Sequence, residues 1–218
     1  MVAGHYGVGF IAKALNNAIP LWVLFLAVQL VDVLWAVFVL LKIERARIIP
    51  GITPINPIDF YYMPYSHSLA AVIFWSIAAA IFSTRLVAAR QRWPVATIVG
   101  AAVLTHWVLD VLVHRPILPL YGDDLKVGMG LYFFPAAALG VELALLFGGI
   151  YLYLRTTKAP WPSHRPATIM LGFVITGLLS FVAFAPPLRK INAAATSALV
   201  TYLVLAGAAY WIERKPVE

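Results

Sequence analysis

A polytopic bundle of membrane-spanning α-helices is the fold this sequence predicts, and three observations predict it. Of 218 residues, 62% are hydrophobic and 11% charged, where a soluble domain carries about 25% charged residues. The mean hydropathy is +0.88. The apolar residues gather into about six runs of roughly 20, the length a helix needs to cross a hydrocarbon core about 30 Å thick. The length suits one integral membrane domain, residues 1–218, rather than two.

Residues 4–15 are too few to cross a bilayer and read as a half-length or interfacial helix, broken by NNAIP at 16–20. Residues 21–41 form the first span, with Asp32 inside it, and 42–47 a basic stop. Residues 48–65, rich in proline and tyrosine, read as an ordered interfacial loop. Spans two and three cover 67–89 and 94–113, and 114–130 is a loop or re-entrant cap. Spans four to six cover 131–154, 167–184 and 191–212, with a basic loop at 155–166 and Pro186 and Pro187 closing span five. Nine Lys and Arg on the side of both termini (Lys158 and Lys215 among them) against seven on the other place the termini in the cytoplasm.

The chain has no cysteine, which excludes disulfides, iron–sulfur clusters, thiolate zinc sites and a cysteine nucleophile. The net charge of +7 comes from basic residues scattered between apolar spans and does not read as nucleic-acid binding. No basic segment precedes the first apolar run, so no cleavable signal is expected.

The chemistry concentrates in GAAVLTHWVLDVLVHRPILPLY, residues 100–121. His106, Asp110 and His114 are four apart, so all three share one slowly drifting stripe of a helix. A polar stripe in lipid must face protein, water or an ion, and imidazole with carboxylate is the donor set of zinc and similar cations. Hairpin geometry brings further groups to it. About the turn near Arg90, His67 lies 23 residues before, Asp110 20 after and His114 24 after, so they sit level. His5 and Asp32 lie equally far from the turn at 16–20. Asp32 has no basic neighbour in sequence, so metal ligation is its expected partner. Glu142, inside the fourth span, reads as a base, a ligand or a structural hydrogen bond, and Asp59, Asp123 and Asp124 as solvated loop residues.

Four pieces in order, GHYGVGFIAKAL (4–15), LVDV (30–33), YSHSL (65–69) and the 100–121 stretch, resemble the bacterial membrane-bound metal-dependent hydrolases. That family typically has an N-terminal histidine, a P-D-x-D segment, an H-R-G-x-T-H-S segment, and an S-H-x-x-x-D helix leading to a T-P loop. The chain is more distantly similar to zinc-dependent phospholipase C. The resemblance covers residues 4–122, the prospective metal-site half. It implies that His5, Asp32, His67, His106 and Asp110 bind a divalent metal such as zinc, in the bacterial inner membrane. Departures are Leu34 where a second aspartate is usual, Met63 and Pro64 near the usual histidine–arginine pair, and His114, Arg115 and Pro116 in place of T-P. Residues 131–218 are then additional spans.

The leading expectation is hydrolysis of a phosphoester or ester on a lipid, with Asp32 or Glu142 as general base and Arg115 pairing a phosphate. Two other classes compete. One is a non-catalytic subunit packed against membrane-protein partners or its own copies. The other is an ion or proton transporter using Asp32, Asp110 and Glu142, against which the absence of an inverted repeat counts. A haem held by two histidines fits the carboxylates less well than a hard cation.

Overall fold

In the computed structural model, residues 1–156, 164–186 and 188–214 are described. They form an all-α bundle: α1 (Ala3–Leu15), α2 (Leu21–Val28), α3 (Leu30–Leu40), α4 (Leu69–Ser83), α5 (Arg92–Val113), α6 (Pro135–Thr156), α7 (His164–Phe184) and α8 (Ile191–Glu213). Five stretches are long and apolar enough to cross a membrane, and α2 with α3 makes a sixth if the bent pair is one span. Most of the expected loop 155–166, together with Lys158, Pro187 and Lys215, lies outside the described residues.

Three segments differ from expectation. The span 21–41 is not one helix: it bends by 56° at Gln29. Gln29 leaves helical geometry at φ −107° and ψ 3°, with no proline or glycine at the break. The bend has two consequences for the site. It leaves the Val28 carbonyl among the last of α2, which lack a full set of helical partners. It also restarts the helix so that Asp32 falls in the first turn of α3, where unpaired N–H groups favour a carboxylate.

The expected basic stop and loop at 42–65 contain a hairpin instead. Strand β1 (Arg45–Ile48) pairs antiparallel with β2 (Ile58–Tyr62), setting Arg47 opposite Asp59. Helix α6 starts at Pro135 rather than 131, after a 3-10 turn at Leu131–Phe133 that follows Gly130, whose φ of 75° suits glycine.

The short α1 is not interfacial. Tyr6 and Phe10 are fully buried, and α1 crosses α6 with Gly7 and Gly149 at the contact. A Cβ on either glycine would meet the backbone of the other helix, so only glycine permits this approach. The largest core cluster mixes Tyr6, Phe10 and Phe25 with Leu146, Ile175 and Leu205, so α6, α7 and α8 complete the core begun by α1 and α2. At one end Lys13 pairs with Glu213 at 2.7 Å, tying α1 to α8.

Candidate metal centre

Asp32, His67, His106 and Asp110 each offer one ligand atom, and the four atoms lie within 4.8 Å of one another. Asp32 comes from the first turn of α3 and His106 and Asp110 from one face of α5. His67 stands just before α4, whose N-cap Ser68 accepts from the Ala71 N–H. Trp107 on α5 donates to the His67 carbonyl at 3.0 Å, fixing the junction against the stripe.

Both imidazoles are oriented from behind. His106 Nδ1 meets the Val28 carbonyl at 2.7 Å. A carbonyl only accepts, so Nδ1 carries the hydrogen, and in the neutral ring Nε2 carries the lone pair. Ser66 Oγ donates to Glu44 Oε2 at 2.6 Å, so it accepts from His67 Nδ1 at 2.8 Å. Glu44 Oε1 takes the backbone N–H groups of Tyr65 and Ser66, each at 2.8 Å. Glu44, Ser66 and His67 thus form a chain that leaves the His67 Nε2 lone pair facing inward, the arrangement that orients metal-binding histidines.

The carboxylates divide their oxygens. Asp110 Oδ1 accepts from His5 Nε2 (3.2 Å) and the Met1 nitrogen (2.6 Å). Its Oδ2 lies 3.3 Å from His106 Nε2 and 3.8 Å from His67 Nε2. Asp32 Oδ2 accepts from the Tyr202 hydroxyl of α8 at 2.9 Å. Its Oδ1 lies 3.4 Å from His67 Nε2 and 3.6 Å from His106 Nε2.

Lone pairs therefore face anionic oxygens, and buried His106 Nε2 has no hydrogen-bond partner. Such a group repels its neighbours unless a proton or a cation lies between them. The spacing fits one: four ligands about 2.0–2.1 Å from a tetrahedral ion stand about 3.3–3.4 Å apart, and the nitrogen–oxygen separations run from 3.3 to 3.8 Å. This buried cluster can hold a metal ion.

Several expected site residues do other things. His5 is outside the four-residue group; its ring stacks on His106 at 3.9 Å and its Nε2 steadies Asp110. Glu142 caps α1, accepting from the N–H groups of Val2, Ala3 and Gly4 at 2.9, 2.7 and 3.3 Å and from Tyr132 at 3.2 Å. That engagement makes it a structural group rather than the expected base. Arg115 is held by Asp59, which also takes Arg47 at 2.9 Å, so the phosphate-pairing role loses its free guanidinium. Asp59 is buried, not a solvated loop residue, because it neutralises both arginines. His114 is buried against Phe60 and Tyr132, and burial pushes its pKa down to about 4 against the pull of Asp110, so it is neutral at pH 7. Burial, then the nearby Glu142 charge, raises the Tyr132 phenol and keeps it a donor.

A cavity of about 310 Å³ opens beside the cluster, with Asp32, His67, Asp110, His114 and Tyr202 among its polar lining. Apolar residues of the hairpin, α7 and α8 make up much of the rest.

Sequence reasoning missed Glu44, Tyr202 and the Val28 carbonyl. A signal for Glu44 existed: it is the one acid in the basic run KIERAR. Tyr202 had none, since its partner is 170 residues away. In comparisons with known proteins the chain matches no family model, no curated protein and no solved structure.

Proposed function

We propose that the protein is a membrane-embedded, metal-dependent hydrolase that cleaves an ester or phosphoester carried by a lipid, with zinc as the metal and the bacterial inner membrane as its location. The observation that carries this reading is the convergence of two imidazole nitrogens and two carboxylate oxygens within 4.8 Å of one another, with nitrogen–oxygen separations of 3.3–3.8 Å. The ordered motifs that resemble the metal-dependent hydrolases support it as well. A bound divalent cation supplies Lewis acidity, polarising a carbonyl or phosphoryl oxygen and making water acidic enough to attack near neutral pH. His67 and His106 would hold the ion as neutral donors, their other nitrogens fixed by Ser66 and Val28. Asp32 is the most open of the four at 17% side-chain exposure, and it lines the cavity. With His67, His106 and Asp110 holding the ion, Asp32 would stand at the fourth position as the general base, its Oδ1 taking the proton of a water there and returning it to the leaving oxygen, while Tyr202 holds Oδ2.

Metal analysis of purified protein is the test. Wild type is expected to carry about one zinc per chain, and the double variant His106→Ala with Asp110→Ala next to none. Equal, negligible metal in both defeats the proposal. Loaded wild type that hydrolyses neither lipid esters nor lipid phosphoesters defeats the hydrolase assignment.

A further inference from the structure

The cavity is walled on one side by α7 and α8. Phe181 and Val182 of α7 and Ser197 of α8 line it, yet all three are also exposed on the outer surface. Both helices are membrane-spanning candidates, so an opening between them would face lipid. Helix α8 offers the small residues Ala194, Ser197, Ala198 and Thr201 to the cavity wall, which leaves room for a chain. The volume of about 310 Å³ is in the range of about 300–1,000 Å³ that holds a small organic ligand.

The inner end is not positive. Among the described residues, no lysine or arginine side chain lines the cavity. Half-buried Asp32 and buried Asp110 line it, and buried Glu142 lies behind them at the N-terminus of α1. Against them stand one divalent cation and the Met1 ammonium on Asp110, so the loaded centre is at most neutral. An anionic headgroup would be buried in apolar surroundings without a balancing charge. An uncharged acyl ester would meet no such penalty.

Resting on the hydrolase reading, we infer that the ligand is a single-chain lipid with an uncharged carboxylic ester, entering from the bilayer between α7 and α8 and presenting its ester to Asp32 and His67. Hydrolysis there adds water across the acyl C–O bond. The water oxygen bonds to the carbonyl carbon, the C–O bond breaks, one proton goes to the alcohol, and the acid leaves as its carboxylate with the second proton released. A phosphoester lipid of equal chain length is the excluded alternative.

Photolabelling of the zinc-loaded full chain in detergent tests this. The probes are methyl hexadecanoate and hexadecyl phosphate, each with a diazirine at the chain end, and labelled peptides are read by mass spectrometry. The ester probe is expected to mark the α7 and α8 peptides holding Phe181, Val182 and Ala198, about tenfold more than the phosphate probe. Ser197→Trp with Ala198→Trp plugs the mouth and is expected to cut labelling about tenfold at unchanged zinc content. Val174→Trp, on an exposed position of α7 outside the cavity, should leave both unchanged. Equal or stronger labelling by the phosphate, label confined elsewhere, or full labelling of the plugged variant overturns the inference; the first two need wild type alone. Strong ester labelling without turnover would sink the hydrolase reading while leaving the lipid site standing.

Discussion

Two buried acidic centres lie close in sequence and solve the same problem in opposite ways. Asp59, in the hairpin, is almost fully buried and neutralised by Arg47 and Arg115. Asp32 and Asp110, in the bundle, face His67 and His106, whose inward nitrogens carry lone pairs because Ser66 and Val28 claim the hydrogens. At Asp59 the chain brings its own cations. At the cluster it supplies imidazoles and carboxylates, a set that can hold a cation from outside. A buried carboxylate facing histidine is therefore no guide to a metal site until the hydrogen on the far nitrogen is located.

The largest expected effect comes from breaking each centre in turn. Asp110→Ala should abolish metal retention and the stabilisation that metal provides, about 4 kcal/mol when free metal exceeds the dissociation constant a thousandfold. The wild-type melting temperature should then fall with a chelator and that of Asp110→Ala should not. Asp59→Ala removes the partner of Arg115, which is partly exposed, and should cost about 1–3 kcal/mol while metal content stays at the wild-type level. Equal chelator sensitivity in wild type and Asp110→Ala would erase the contrast between the two centres.

A subtler break leaves every ligand in place. Glu44 sits behind His67 and only accepts hydrogen bonds, from two backbone N–H groups and from Ser66. Glu44→Gln places an amide there that also donates. Ser66 can then turn its hydrogen toward His67 Nδ1, which moves the imidazole hydrogen to Nε2 and blocks the lone pair. Metal affinity should fall about 10–100-fold, measured by competition with a chelating dye, with helix content unchanged. Ser66→Ala should give a similar loss; unchanged affinity in both would show that His67 needs no orienting partner.

How much of this was legible in the sequence follows from the kind of signal each part carries. Helices announce themselves through long apolar runs, and spacing of four placed His106 and Asp110 on one buried face. Equal distance from a hairpin turn brought His67 level with them, because antiparallel helices keep register. The bend at Gln29 left no mark, having neither proline nor glycine. Sequence left Glu142 open between base, ligand and structural hydrogen bond because its partners are backbone N–H groups of α1, which have no sequence signature. Asp59 was misjudged because its arginines lie 12 and 56 residues away and only the fold assembles them.

The smallest effect is expected at Tyr202, where α8 reaches the centre. Its hydroxyl donates to Asp32 Oδ2 at 2.9 Å and turns Oδ1 toward the histidines. Tyr202→Phe keeps the ring and its packing and removes one hydrogen bond to a charged acceptor, a change of about 1.5–3 kcal/mol if the oxygen finds no substitute. Asp32 lines the cavity, so water can replace the phenol. The loss in metal affinity should stay below about tenfold, less than 1.4 kcal/mol, and below that of Glu44→Gln, whose acceptor is sealed from water. If Tyr202→Phe instead loses metal as completely as Asp110→Ala, then Asp32 depends on α8 for its position. The metal-site half would then have no independent existence from residues 131–218.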